Sequence, residues 1–416
     1  MAVDWRTGGK AVGRTALGLA VLLSARPPVR LSAQDYRAQA LRILKTAPLI
    51  DGHNDLADAI RTRGGLDSVD VALLQPKLMS DIPKLRAGGV GAQFWAAYVP
   101  VTTLDSGPHP AVYALEQIDL IKRLCARYPR DLAMARTAAD VERNFKAGKI
   151  SCLIGIEGGH AIENSLGALR MFAALGVRYI TLTHWRSLPW ATASTDTARR
   201  GLSAFGRDVV HEMNRLGILV DLSHVNDATM SDALHATRAP VMFSHSSARA
   251  LTGHARDVPD SILKLVPKNG GIVMVNFNPG FVSEAVRLYD DSMEARIRSL
   301  RATGADPMTV ADSTKAWAAR APKATLAQVA DHIEHIRAVA GVDAVGLGSD
   351  FDGITEVPVG LEDVSKFPDL LAELLKRGWS EQDVRKVAGL NALRVLRAAE
   401  RGAAEPRAVR DSEVRR

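Results

Sequence analysis

A (β/α)8 barrel of the TIM type, in the α/β class, is the fold this sequence predicts. Three observations carry it. Eight short apolar runs alternate with longer segments of helical periodicity. Most of the runs are continuously apolar, as strands covered on both faces are. No glycine-rich phosphate loop follows the first run, which argues against a doubly wound open sheet.

The strand candidates, in order, are "PLIDGH" (48–53), "VGAQFWAAY" (90–98), "ISCLIGIEG" (150–158) and "RYITLTH" (178–184), then "GILVDLSH" (217–224), "PVMFSH" (240–245), "GIVMVNF" (271–277) and "DAVGLGSD" (343–350). Between them, 111–128, 165–176, 205–216 and 226–237 place apolar residues at helical spacing. The segment 325–341 opens with Thr325 and Gln328, a capping-box pair, and ends at Gly341. The stretch 278–323 is too long for a simple connection and reads as an inserted lid or helical pair.

One catalytic barrel over 34–400 is therefore expected, between a leader (1–33) and a polar, disordered tail (401–416). In the leader, Lys10 and Arg14 precede the apolar "ALGLAVLLSA". That is the pattern of a signal peptide cleaved after Ala25 or Ala33, so the protein reads as exported, periplasmic or secreted. A disordered leader on a cytoplasmic protein is the other reading. The apolar run is too short for a comfortable membrane span, and the Arg-rich C-terminus offers no hydrophobic tail for a lipid anchor.

With 47% hydrophobic and 24% charged residues, the 416-residue chain has ordinary globular composition. Its formal charge of +7 is concentrated at the ends. The leader holds five basic residues against one acid, and the tail five arginines against three acids. No basic stripe with interleaved aromatics remains, which argues against a nucleic-acid partner. Two cysteines, Cys125 and Cys152, cannot form a disulfide scaffold.

The polar residues recur in one place. His53 and Asp55 end the first run, Glu157 the third, His184 the fourth, His224 the fifth, His245 the sixth and Asp350 the eighth. In a barrel those ends converge on one mouth, where active sites lie. A lone histidine after a strand is more often an ordinary loop residue. The same placement on six strands is different, because such a cluster is costly without a metal or substrate to neutralise it. The other histidines read as loop or helix-face residues: His109, His211, His235 and His254, with His332 and His335 on a solvated face. His160, near Glu157, reads as a supporting residue at most.

Imidazole and carboxylate donors without thiolate suit zinc first, and manganese or cobalt after it. Five donors exceed the need of one catalytic zinc and suit two ions. Glu157 would bridge, with His53 and Asp55 on one ion and His224 and His245 on the other. Two such ions can hold a hydroxide between them at neutral pH. His184 is then free to donate to a tetrahedral oxyanion. Asp350 can take the water's proton and pass it to the leaving amine.

The motifs "LIDGHNDLA", "GIEGGHAI", "LTHW", "DLSHVN", "FSHSSARAL…ARDVPD" and "GLGSDFDG" resemble those of the membrane (renal) dipeptidase family of zinc peptidases, over roughly residues 45–398. The chain looks like a bacterial-type member. The resemblance implies a barrel of the metallo-dependent hydrolase type, two zinc ions per chain, hydrolysis of dipeptides, tolerance of a D-residue at the C-terminal position, and a homodimer. It implies His53, Asp55, Glu157, His224 and His245 as metal ligands, His184 as a substrate-binding histidine and Asp350 as the catalytic aspartate. It also implies Arg256 as the arginine that binds the substrate's free carboxylate. Arg256 does not emerge from the residue pattern alone, where it reads as a surface arginine.

Two positions depart from the family. Ser187 and Thr192 stand where an Asn and an Asp are usual, and they are expected near the pocket, with an effect on side-chain preference. The alternatives are a metal-dependent amidase acting on another small amide, such as a lactam or an N-acyl amino acid, and a non-catalytic peptide-binding barrel. Typical amidohydrolases open with H-x-H, whereas the second donor here is Asp55. A binding barrel would be expected to have lost a ligand or the aspartate, and none is lost.

Overall fold

The computed structural model describes Met1 and residues 32–403. The expected signal segment and most of the polar tail lie outside the described residues. The first described element is the helix Ala33–Leu44, capped by Ser32 and Asp35 in a reciprocal capping box. Cleavage after Ala25 would keep that cap, whereas cleavage after Ala33 would remove it.

Nine parallel strands follow: β1 (Leu49–Asn54), β2 (Val90–Tyr98), β3 (Leu132–Met134), β4 (Ile150–Glu157), β5 (Val177–Thr181), β6 (Leu219–Asp221), β7 (Met242–Phe243), β8 (Ile272–Val275) and β9 (Val345–Leu347). Eight of them close a barrel in the order β1, β2, β4, β5, β6, β7, β8, β9, with β9 pairing back onto β1. Each of the eight apolar runs supplies one of these strands. The extra strand, β3, pairs only with the first residues of β4, alongside the position that β5 takes further up. At three residues it is too short to show a period-two or apolar signature.

Every residue of β1 and of β4 is buried, because helices cover the outside and side chains fill the inside. At the lower end, Ile50, Phe94, Leu153, Met242 and Ile272 share one cluster with Leu393 and Leu396 of the helix Asn391–Gly402. The expected helices appear within a residue or two of their predicted bounds. The segment 278–323 is a helical pair, Glu284–Ala302 and Pro307–Ala318, preceded by the short turn of helix Pro279–Val282. Among the described residues, no helix is long and apolar enough to cross a membrane. Cys125 and Cys152 are both buried and unbridged.

Two fully buried carboxylates lock the strands beneath the mouth. Asp51 accepts from Gln93 Nε2 at 2.8 Å and from Ser349 Oγ at 2.6 Å, tying β1 to β2 and to the chain after β9. Asp221 accepts from Thr181 Oγ1 at 2.5 Å and from Ser244 Oγ at 2.7 Å, tying β6 to β5 and to the chain after β7. Each sits one layer below the histidines described next.

Candidate metal centre and active site

All seven donors at the strand ends meet at one mouth. Glu157, the last residue of β4, lies at the centre, with its two oxygens facing opposite groups. Oε2 is 3.7 Å from His53 Nε2, which is itself 3.1 Å from Asp55 Oδ2. Oε1 is 3.1 Å from His224 Nε2, 3.4 Å from His245 Nε2 and 3.6 Å from His184 Nε2. The Nε2 atoms of His224 and His245 are 3.0 Å apart. Three overlapping donor groups of metal-binding size result: His53 with Asp55 and Glu157, Glu157 with His184 and His224, and His53 with His245 and Asp350.

The backbone turns sharply to deliver these side chains. Gly158 has φ +118°, and a Cβ there would meet the His160 ring at 2.4 Å, so the turn after Glu157 needs glycine. His224 and Asp350 adopt φ +67° and +64°, conformations that a side chain disfavours. In return, His224 aims its ring at Glu157 and Asp350 aims its carboxylate towards His53. Asp350 Oδ2 accepts from Asn276 Nδ2 at 3.0 Å, and Oδ1 is 4.0 Å from His53 Nε2.

The electrostatics favour an added cation. His53 is fully buried, which opposes its charged form, but Glu157, Asp55 and Asp350 outweigh burial and lift it to about 10. Burial, with the nearby Arg256 and the other imidazoles, holds His184, His224 and His245 well below the usual histidine range, so they are neutral. Burial first, and then Asp55, lifts Asp350 to about 6. Glu157 is raised by burial too. Neutral imidazole nitrogens facing carboxylates, with no thiolate among them, fit zinc-type ions.

Arg256 is 1% exposed, far from the surface role its sequence context suggests. Nη1 donates to Ser246 Oγ at 3.2 Å and Nη2 to the His245 carbonyl at 3.1 Å. The guanidinium lies 5.3 Å from the Phe281 ring, and its Nε–H has no partner. It is held rigidly with donors to spare, at the edge of a pocket of about 240 Å3 that Glu157, His184, His224 and Asp350 also line. That volume lies below the ~300–1,000 Å3 usual for small-molecule sites, so it admits only a small ligand.

Several pocket residues escape the sequence reading: Tyr98, Trp185, Asn278, Phe281 and the acids Asp58 and Asp352. Tyr98 had a signal, since it ends the second run, the same position that singled out the donors. Two expectations are corrected. Ser187 and Thr192 do not line the pocket; Ser187 instead donates to Asp196 at 2.7 Å and accepts from the Ala193 N–H, bracing its own loop. His332 is not solvated: it is 1% exposed, and its Nδ1 accepts from the Ala248 N–H at 3.0 Å. Its neighbour His335 is partly exposed and pairs with Asp260 at 2.8 Å. His160 is buried behind Gly158 and does not reach the pocket.

Comparison with known proteins gives a consistent result. The family model described as "Membrane dipeptidase (Peptidase family M19)" matches residues 37–409. Dipeptidase 3 of Rattus norvegicus is 42% identical over 372 residues, 88% of this chain and 67% of the rat protein. A metallopeptidase from Rhodobacter sphaeroides, solved with a phosphinate mimic of the dipeptide L-Ala-D-Ala, is 27% identical with a TM-score of 0.70, covering 85% of this chain and 99% of that one. The probable dipeptidase PvdM from Pseudomonas aeruginosa shares the fold, with a TM-score of 0.77 at 23% identity over 89% of this chain and all of that one.

Proposed function

The chain belongs to the membrane dipeptidase family, hydrolases acting on peptide bonds, and from that premise we propose that it is a dinuclear zinc dipeptidase. The observation that carries the dinuclear reading is Glu157, whose two oxygens face two separate donor groups. His53 and Asp55 would hold one ion, and His224 and His245 the other, with Glu157 shared. Bound there, the ions supply a hydroxide nucleophile at neutral pH and draw charge from the scissile carbonyl.

The chain's own residues do the rest. Arg256 pairs its free guanidinium edge with the dipeptide's terminal carboxylate, which fixes the register of the substrate. His184, neutral and opposite Glu157, donates a hydrogen bond to the oxygen that gains charge. Asp350, raised towards neutrality and steadied by Asn276, accepts a proton from the attacking water and returns it to the departing amine. A small pocket with a carboxylate anchor explains a preference for dipeptides over longer chains. Acceptance of a D-residue at the C-terminal position is supported by the L-Ala-D-Ala mimic bound to the Rhodobacter relative. Export and a homodimer are part of the same reading. They rest on the basic-then-apolar leader and on the family resemblance.

The test is metal content together with activity. The purified chain should carry about two zinc ions and hydrolyse both L-Ala-L-Ala and L-Ala-D-Ala. A chelator should abolish cleavage and zinc should restore it. One ion per fully active chain would overturn the dinuclear reading. Two ions with no dipeptide cleavage would move the substrate to another small amide.

A further inference from the structure

Tyr179 sits in the middle of β5, fully buried, in a run that reads as plain core. Its strand pairs with β4 and β6, whereas His53 lies on β1, between β2 and β9. The side chain crosses the barrel interior, and its hydroxyl lies 2.8 Å from His53 Nδ1. The crossing is possible because β4 carries glycine where the ring passes. A Cβ at Gly155 would lie 2.0 Å from the ring's Cζ and 2.3 and 2.4 Å from its two Cε atoms.

Ser244 Oγ is 2.7 Å from His245 Nδ1 and 2.7 Å from Asp221 Oδ2. Asp221 receives four donors: the hydroxyls of Thr181 and Ser244 and the backbone N–H groups of Ser223 and Ser244. A carboxylate so surrounded is an acceptor only. The direction of the Ser244–His245 hydrogen bond is then determined. Ser244 gives its one proton to Asp221, so its oxygen accepts from His245 Nδ1–H. On the other side of the barrel, the Tyr179 hydroxyl offers His53 Nδ1–H an acceptor at 2.8 Å.

We propose that Tyr179 for His53, and Asp221 through Ser244 for His245, are the positioning devices that engage Nδ1–H beneath the mouth and so turn Nε2 of each imidazole into it. Gly155 makes the Tyr179 contact possible. A separate partner beneath the barrel mouth therefore sets a ligand on each side of Glu157. The proposal rests on the reading of His53 and His245 as metal ligands. Orienting partners of this kind typically change metal affinity by roughly 10- to 100-fold.

The experiment is zinc titration of the full chain against a chromophoric chelator, comparing wild type with Tyr179→Phe and Ser244→Ala, each checked by thermal melt. Tyr179→Phe keeps the ring and should weaken one of the two zinc-binding steps by roughly 10- to 100-fold, leaving the other within about threefold. Ser244→Ala should weaken the other step by a similar factor. If one variant does not fold, the loss of a single step in the other carries the same test. Wild-type affinity at both steps in a folded variant would overturn the proposal. A wild-type chain that binds no zinc would instead overturn the ligand reading beneath it.

Discussion

Replacing Arg256 by methionine tests how the substrate is anchored. Methionine approximates the length of the side chain and removes its charge and its donors. In the structure the guanidinium is buried, spends one bond on Ser246 and one on the His245 carbonyl, and keeps its Nε–H free. A substrate carboxylate in this position would be a desolvated partner. Truncating one member of such a pair costs about 2–5 kcal/mol. At about 1.4 kcal/mol per decade, kcat/KM for a dipeptide should fall by roughly 30- to 5,000-fold. The assay is a double cycle with a second substrate, the same dipeptide with its C-terminal carboxylate amidated. Wild type should cleave the amide worse than the acid by a similar factor. The variant should treat the two alike, because the partner of the missing carboxylate is gone. Metal content and melting temperature, measured alongside, separate this from disruption of the His245 carbonyl contact. If the variant keeps the wild-type preference for the free acid, Arg256 is not the anchor.

Other outcomes follow from the same geometry. Glu157→Gln removes the charge shared by the two donor groups, so elemental analysis should find fewer than two ions per chain and activity should be lost. Asp350→Asn should keep the metal count and lower kcat by about 10²–10⁴-fold, the usual contribution of a positioned acid–base group. An unchanged kcat would assign the proton transfer elsewhere. In chelated protein His53 is lifted from the ordinary 6.5 to about 10. Between pH 7 and 9 the folded state therefore binds more protons than the unfolded state, and stability falls as pH rises. Thermal melts should show this decline in the chelated protein, and His53→Gln should flatten it.

The strand ends were legible because their chemistry is repetitive. Seven ionisable groups close six apolar runs, and a barrel must bring such ends together. What escaped was whatever lacked that signature. Arg256 lies eleven residues beyond His245 in a polar loop, and only folding turns it inward. Tyr179 is masked by the apolar run around it, and its role is defined across the barrel, between strands with no sequence relation. Asp221 reads as part of the strand-end motif, yet its four donors come from the turns and strands on either side. His332 was misread through its charged neighbours Asp331 and Glu334, both of which bind Arg377. The helical period gave the better signal, since Val329, Ile333 and Ile336 share the buried face with His332.

The left-handed backbone at His224 and Asp350 has a consequence for anyone engineering this barrel. Each such residue typically costs about 1–3 kcal/mol, which glycine would release. A campaign that ranks variants by heat tolerance alone would therefore be drawn to these two positions. It would enrich durable, inert proteins, so turnover has to be scored in every round.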